Sequence, residues 1–418
     1  AADPLWAAFA AHLTWALLPC LRTLWCLHGV WAPGVRARLG GAGRALDVGP
    51  KERALYLKRA TRAPAARAAS SSSPSSAPLA EDDGATLAGP GVGSLRAWLR
   101  QARECVVQTL GALASTPPAL YSVPVPGAPA AWAAALTDGL GHVDPSAVRL
   151  LERHVVVPLV RGCPPSHRPA WLAPVLVPLL PAAHAALAAG WAAVGGGGGG
   201  GSGAGDDDDV VAERLLRECT QEHAALLRAL LDRPVLPVAA GAPAVATPAA
   251  PPATAESAFD FLLAAAPDAA LAAVVTAATM LWWPDHEAAA RGAAVCRAAV
   301  PLAARDARLR DLVGRQMLQG ALAALANPAA SSAQAEALHL ARDVLLQELA
   351  AGSPAPREVM LALPGMAPAR LDAFAAKLAT LRSDREQRAA LKKLLAATGG
   401  DALAAALSDW RPAAAAGA

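Results

Sequence analysis

Pro368-Ala-Arg-Leu371-Asp-Ala-Phe374-Ala-Ala-Lys-Leu378-Ala-Thr-Leu381-Arg-Ser383-Asp-Arg-Glu386-Gln-Arg-Ala-Ala-Leu391-Lys-Lys-Leu394-Leu395 decides the fold. Leu371, Phe374, Leu378 and Leu381 recur at steps of three and four, the spacing that puts side chains on one face of a helix. Pro368 suits the first turn, where its missing N–H costs nothing. Ser383 and Glu386 have capping-box spacing and open a second helix, whose core side is Leu391, Leu394 and Leu395. Gly399-Gly400 can supply the left-handed residue that ends it. Two such helices joined by a short polar turn cannot each bury their apolar stripe alone, so they must stack on further helices.

Moving upstream, Asn327-Pro328 ends an earlier helix carrying Leu309, Leu312, Val313 and Leu322. The composition agrees with an all-α chain. Of 418 residues, 54% are hydrophobic but only 4% aromatic, with two Tyr and four Phe, so a sheet has little to be built from. Alanine and leucine lose little side-chain entropy in a helix. The expected organisation is helical repeats over 1–60, a disordered insertion over 61–94 and helical repeats over 95–194. There follow a Gly/Asp linker over 195–209, a helix over 210–232 and a Pro/Ala linker over 233–256. Helical repeats over 257–410 and a short tail over 411–418 complete the chain. Periodicity supports stacked amphipathic helices; no repeat length can be read from it.

Catalytic chemistry finds no foothold. The nine histidines never pair with Cys, Asp or Glu at triad or metal-ligand spacing, so no catalytic residue, metal or cofactor is expected. Asp285-His286-Glu287 reads as a helix cap and first-turn acid after Pro284. Gly195–Gly201 lacks the GK[ST] of a phosphate loop, and Asp206–Asp209 lacks the ligand alternation of a calcium loop. The six cysteines are scattered, without a CxxC pair, and are expected as buried thiols in a reducing compartment. The chain opens on Ala1, without Met or a signal peptide, and is read as part of a longer product.

Binding is the remaining class. The net charge of +3 does not by itself argue for nucleic acid. Two local features could meet a phosphate backbone. Lys51, Arg53, Lys58 and Arg59 crowd together beside Arg62 and Arg67, opposed locally by Glu52. Arg385, Arg388 and Lys392 share one face of the last capped helix, with Lys393 beside it. Either can equally be a solvated helix face. Trp15, Trp25, Trp98 and Trp282 fall on apolar stripes and are expected in the core. Leu5–Leu21, Trp171–Val194 and Ala269–Trp283 are apolar, but proline, histidine or short length argues for core helices over membrane spans.

Several blocks resemble one family. Ser353-Pro-Ala-Pro-Arg357, Leu361-Ala-Leu-Pro-Gly365, Ser383-Asp-Arg-Glu-Gln387 and Ala397-Thr-Gly-Gly400 are similar, in order and spacing, to the carboxyl-terminal signature of the exportin-5 family, its plant Hasty branch included. Leu13-Thr-Trp-Ala-Leu-Leu-Pro19, Leu95-Arg-Ala-Trp98-Leu, Val156-Val-Pro158-Leu-Val-Arg-Gly-Cys163 and Glu213-Arg-Leu-Leu-Arg217 extend the resemblance collinearly upstream. It implies an α-solenoid of HEAT-type antiparallel helical hairpins with disordered insertions, the carboxyl-terminal part of a karyopherin. It also implies a monomer that shuttles between nucleus and cytoplasm. Its partners would be Ran-GTP, double-stranded or hairpin RNA and nuclear pore proteins, with GTP acting in trans on Ran and no membrane insertion. Cargo would be structured RNA such as microRNA precursors or tRNA, or RNA-bound proteins. The amino-terminal repeats that form the principal Ran site in that superfamily have no counterpart in this sequence. The matching blocks are core and turn positions, so the resemblance assigns no individual RNA- or Ran-contacting residue. The alternative is a helical-repeat scaffold that binds protein and no RNA.

Overall fold

The computed structural model describes residues 4–61, 91–115, 120–121, 125–196, 206–233, 256–326 and 331–396. Most of these residues are helical, with no strand among them. In chain order the helices are α1 (Pro4–Gly29), α2 (Pro33–Leu39), α3 (Pro50–Thr61), α4 (Val92–Ala114), α5 (Ala128–Thr137) and α6 (Pro145–Leu151). Then come α7 (Val157–Gly162), α8 (Arg168–Trp171), α9 (Ala173–Gly196), α10 (Asp206–Leu231), α11 (Ala258–Ala265), α12 (Pro267–Met280) and α13 (His286–Ala299). The last are α14 (Ala307–Leu312), α15 (Leu318–Ala326), α16 (Ser331–Ala350), α17 (Pro354–Leu361), α18 (Pro368–Thr380) and α19 (Asp384–Ala396). The fold is all-α, as expected, and its helices pair into hairpins. Two compact units contain them: residues Ala1–Val155 with Gly198–Glu218, and Val156–Gly197 with Cys219–Ala418.

In the first unit α1 packs against α4 and α5. Leu17, Leu21 and Leu24 supply the buried stripe of α1, and Val107, Leu110 and Leu113 that of α4. Gly111 lets α4 pass directly over the His154 carbonyl; a Cβ there would lie 2.0 Å from that oxygen. Arg103 stacks over Trp31 at 5.1 Å, and Arg96 donates to the Arg44 and Asp47 carbonyls, tying α4 to the turn after α2. The expectation that Trp15, Trp25 and Trp98 are core residues is overturned: they are 76%, 52% and 61% exposed. At about 100° per residue, Trp15 lies about 150° round α1 from the centre of the leucine stripe. Trp25 sits at the stripe's edge and donates its indole N–H to Asp138.

In the second unit the hairpin α12–α13 turns through Leu281–Asp285, and Asp285 caps α13 by accepting from the Ala288 amide, as read from sequence. Gly292 brings the two helices together, since a Cβ there would meet Met280 and the Ala277 carbonyl at 2.7 and 2.8 Å. Trp283 stacks on Trp191 at 5.7 Å, and the Trp191 indole donates to Thr220. Trp282 is half-buried. Ser257 and Asp260 form a reciprocal capping box at α11, and Arg168 clasps the preceding Glu256 and Ser257 carbonyls. Helix α16 is the hub, packing against α13, α15, α17, α18 and α19. The tail largely follows its sequence reading: Leu371, Phe374, Leu378, Leu391 and Leu394 are buried and Ser383 caps α19 through the Glu386 amide, whereas Leu381, just past the end of α18, and Leu395 are half-buried.

Two further expectations change. Asp206–Asp209, read as linker, forms the first turn of α10, where acidic residues suit the helix dipole. Only Cys163, Cys219 and Cys296 are buried; Cys26 and Cys105 are exposed, because α1 and α4 each have just one covered face. One described helix, over Ala173–Val194, is long and apolar enough to cross a membrane. Pro178 and Pro181 lie within it, and Val175, Leu176, Leu179, Leu180 and Trp191 are buried against the protein, as in a core helix. The remaining expectations for 62–90, 197–205, 234–255, 327–330 and 397–418 fall outside the described residues.

Substituting Gly111→Ala should destabilise the protein by about 1–3 kcal/mol, because neither helix backbone can move aside cheaply. Gly93→Ala, with nothing within 4 Å of its added methyl group, should be neutral or gain up to about 1 kcal/mol. Chemical denaturation of both variants measures the contrast, and equal effects would contradict the close approach. Burial of His28, opposed by the nearby Ala135 backbone and reinforced by the Arg103 charge, lowers its pKa from 6.5 to about 4. The unfolded chain therefore takes up this proton at higher pH than the folded one, so stability falls as pH drops from about 6.5 to about 4. The loss attributable to His28 should reach about 3 kcal/mol. A His28→Gln variant should lack that component in a pH series of unfolding curves, and a difference curve without slope would refute it.

Candidate nucleic-acid interface

The two basic features predicted from sequence fall in different units. In the first unit, α3 carries Lys51, Arg53 and Lys58, with Arg59 on the same helix; Arg62 and Arg67 lie outside the described residues. Lys51 and Lys58 are exposed and Arg53 is half-buried. Tyr56 anchors the helix by packing with Val211 and Leu215 of α10. Glu52 turns toward Arg100 of α4, 3.5 Å away, and accepts from the Tyr56 hydroxyl. Lys51, Arg53 and Lys58 each engage another group of the protein.

In the second unit, α19 presents Arg385, Lys392 and Lys393 to solvent, on the side opposite buried Leu391 and Leu394. Arg388 is different. It lies half-buried at the edge of that face, 2.9 Å from the Asp384 carboxylate and 3.1 Å from His339 Nε2. Asp384 also pairs with Arg342 of α16, whose guanidinium reaches Asp343 as well. Asp343 and Glu336 in turn hold Arg297 of α13 at 3.0 and 2.9 Å. A continuous chain of charges thus joins α13, α16 and α19. His339 sits inside it, and burial first, then the positive charges of Arg297, Arg388 and Arg342, lowers its pKa. A neutral imidazole can accept the Arg388 N–H, which an imidazolium cannot.

The sequence reading missed three cations that belong with α19. Arg370 and Lys377 lie two turns apart on α18, and Arg382 lies in the connection between the helices. The signal was available as a local count. Residues 368–396 hold seven Lys and Arg against three Asp and Glu, within a chain whose total is only +3.

Among the described residues no group of three or more His, Cys, Asp or Glu is placed to hold an ion. A cleft of about 400 Å3 is lined by Arg233, Glu256, Asp260, Leu263, Ala264, Arg305 and Asp306. Its charges are largely spoken for, since Arg305 pairs with Asp260 and Asp306 caps α14 through the Arg308 and Leu309 amides.

Comparison with known proteins places this arrangement. The model of the Exportin-5 family matches residues 3–409. The chain belongs to the exportin-5 family. It is similar to Protein HASTY 1 of Arabidopsis thaliana, 26% identical over 419 residues that cover 92% of this chain and 33% of that protein. The chain therefore spans about a third of the length of that relative. Membership agrees with the all-α stack, and the collinear blocks read from sequence lie inside the matched span.

Asp384→Asn should free α19 from α16 while leaving its apolar stripe intact. Removing the shared anion leaves Arg342 and Arg388 short of a partner, at a cost of about 1–3 kcal/mol. Hydrogen exchange should report faster exchange of α19 amides with α12 and α13 unaffected; unchanged protection of α19 would count against the clamp.

Proposed function

We propose that this chain is the carboxyl-terminal portion of a nuclear export receptor. It carries structured RNA such as microRNA precursors or tRNA, or RNA-bound proteins, through the nuclear pore with Ran-GTP. The observation that carries this reading is the family match over nearly the whole chain, residues 3–409. The mechanism is binding, with GTP hydrolysed on Ran and no cofactor held here, and the receptor shuttles between nucleus and cytoplasm as a monomer in contact with pore proteins. Duplex RNA suits such a carrier: its deep major groove hides base identity, while phosphates and 2′-hydroxyls stay accessible to a protein surface. The basic groups on α3 and α19, Lys51, Arg53, Lys58, Arg59, Arg385, Arg388, Lys392 and Lys393, are the candidates for backbone contact, Arg388 being already committed to Asp384.

The test is a salt-titrated binding assay with a hairpin RNA bearing a short 3′ overhang, with and without Ran-GTP. It compares this chain with a form extended upstream on the same gene. Salt-sensitive binding by the extended form, strengthened by Ran-GTP, is the expected outcome. Absence of RNA and Ran binding by both forms would replace this reading with that of a protein-binding helical scaffold.

A further inference from the structure

The acidic residues of α18 and α19 are all engaged within the protein. Asp372 binds Arg357 of α17, whose charge holds that carboxyl below its usual range. Asp384 is shared by Arg342 and Arg388. Glu386 accepts from the Ser383 hydroxyl at 2.8 Å as part of the helix cap. The cations are not matched in this way. Arg370, Lys377, Arg382, Arg385, Lys392 and Lys393 pair with no carboxylate among the described residues, and all but half-buried Arg370 are exposed. On α3, by contrast, the described cations already engage other groups. Of the two basic features, the one whose cations remain unengaged therefore lies on the last two helices.

The arrangement has a repeat. Arg370 and Lys377 on α18, and Arg385 and Lys392 on α19, are each seven residues apart, which is two turns or about 10.5 Å along a helix. The two helices pack against each other, so two rows of charge run on neighbouring rods. Around them the exposed residues are small: Ala369, Ala373, Ala376, Ala379, Thr380 and Ala389. The single aromatic residue of 368–396, Phe374, is buried. Single-stranded nucleic acid is held by stacking bases on aromatic side chains, and none is offered here. An acidic peptide can be met by clustered arginines, but the alanine surface offers it no apolar anchor beside them. Spaced cations on a plain surface fit a ligand recognised by regular backbone charge.

We propose that α18 and α19 form a cationic platform for the phosphates of double-stranded RNA, with Arg370, Lys377, Arg382, Arg385, Lys392 and Lys393 as its contact residues. Arg388 is a positioning residue: with Asp384 it fixes α19 on α16 and does not itself meet phosphate. The platform rests on the RNA reading above and names the surface that serves it.

The experiment measures affinity of the full 418-residue chain for a 20-base-pair RNA duplex across a salt series. The variants are the triple Arg385→Gln/Lys392→Gln/Lys393→Gln, the triple Arg370→Gln/Lys377→Gln/Arg382→Gln, and Arg388→Gln. Each triple should weaken binding about 10- to 100-fold at moderate salt and reduce the slope of log K against log salt by about 2–3, because each lost phosphate contact removes nearly one unit. Circular dichroism and thermal melts of these surface triples should match the parent. Arg388→Gln should lower the melting temperature and speed hydrogen exchange of α19, while the slope shifts by less than about 1. A parent chain that binds duplex RNA with slopes unchanged in both triples would overturn the platform and leave the RNA reading standing. A parent chain with no affinity for the duplex would overturn the platform, and the RNA reading would fall with it only if the upstream-extended form also failed to bind. A poly-glutamate peptide bound more tightly than the duplex, and lost in the triples, would keep the surface but overturn its assignment to RNA.

Discussion

Helix Ser331–Ala350 pairs Arg342 with its own Asp343 but draws its other ionic partners from neighbouring helices, and the second unit is organised around that fact. Its Glu336, Arg342 and Asp343 stand on a helix surrounded by neighbours, where a charge without a partner is costly. The partners come from both directions along the chain: Arg297 from a helix that precedes it and Asp384 from one that follows. Such partly buried pairs do more to fix register than to add net stability. Here they set which turn of α13 and which end of α19 face the hub. Apolar packing through Leu371, Phe374, Leu391 and Leu394 holds the terminal helices down, and the charges decide how they are rotated.

The abundance of alanine and glycine has a geometric consequence. Gly111 and Gly292 let backbones pass so close that a single methyl group would collide. Close approach concentrates burial on narrow stripes and leaves the rest of each helix outside the core. The exposed Trp15, Trp25 and Trp98 follow from this: large apolar residues on a helix whose covered stripe is already filled by leucine or valine. An apolar residue on a helix is therefore no guarantee of burial in a stack this thin.

For function, the described residues offer charge and shape. Carboxylates are consumed by caps and ion pairs, as at Asp285, Asp306, Asp260 and Asp384, and the cleft beside Asp260 and Arg305 largely neutralises itself. Of the two basic features, the cations left unengaged are those gathered on the final two helices. Membership of the exportin-5 family gives that surface a context.

The sequence by itself determined the helices, their ends and much of the core. Heptad-like spacing of Leu371, Phe374 and Leu378, Pro368 at a first turn, and the Ser383 and Asp285 caps are local signals, and local signals survive in one dimension. It also determined the family, through blocks whose order and spacing are collinear. The rest was decided by tertiary structure. Whether Arg388 faces solvent or Asp384, which tryptophans are covered, and that Asp206–Asp209 open a helix depend on what lies opposite. Periodicity gives the angle of a residue around its own helix, whereas burial and pairing depend on the neighbour at that angle, which only the packed chain supplies.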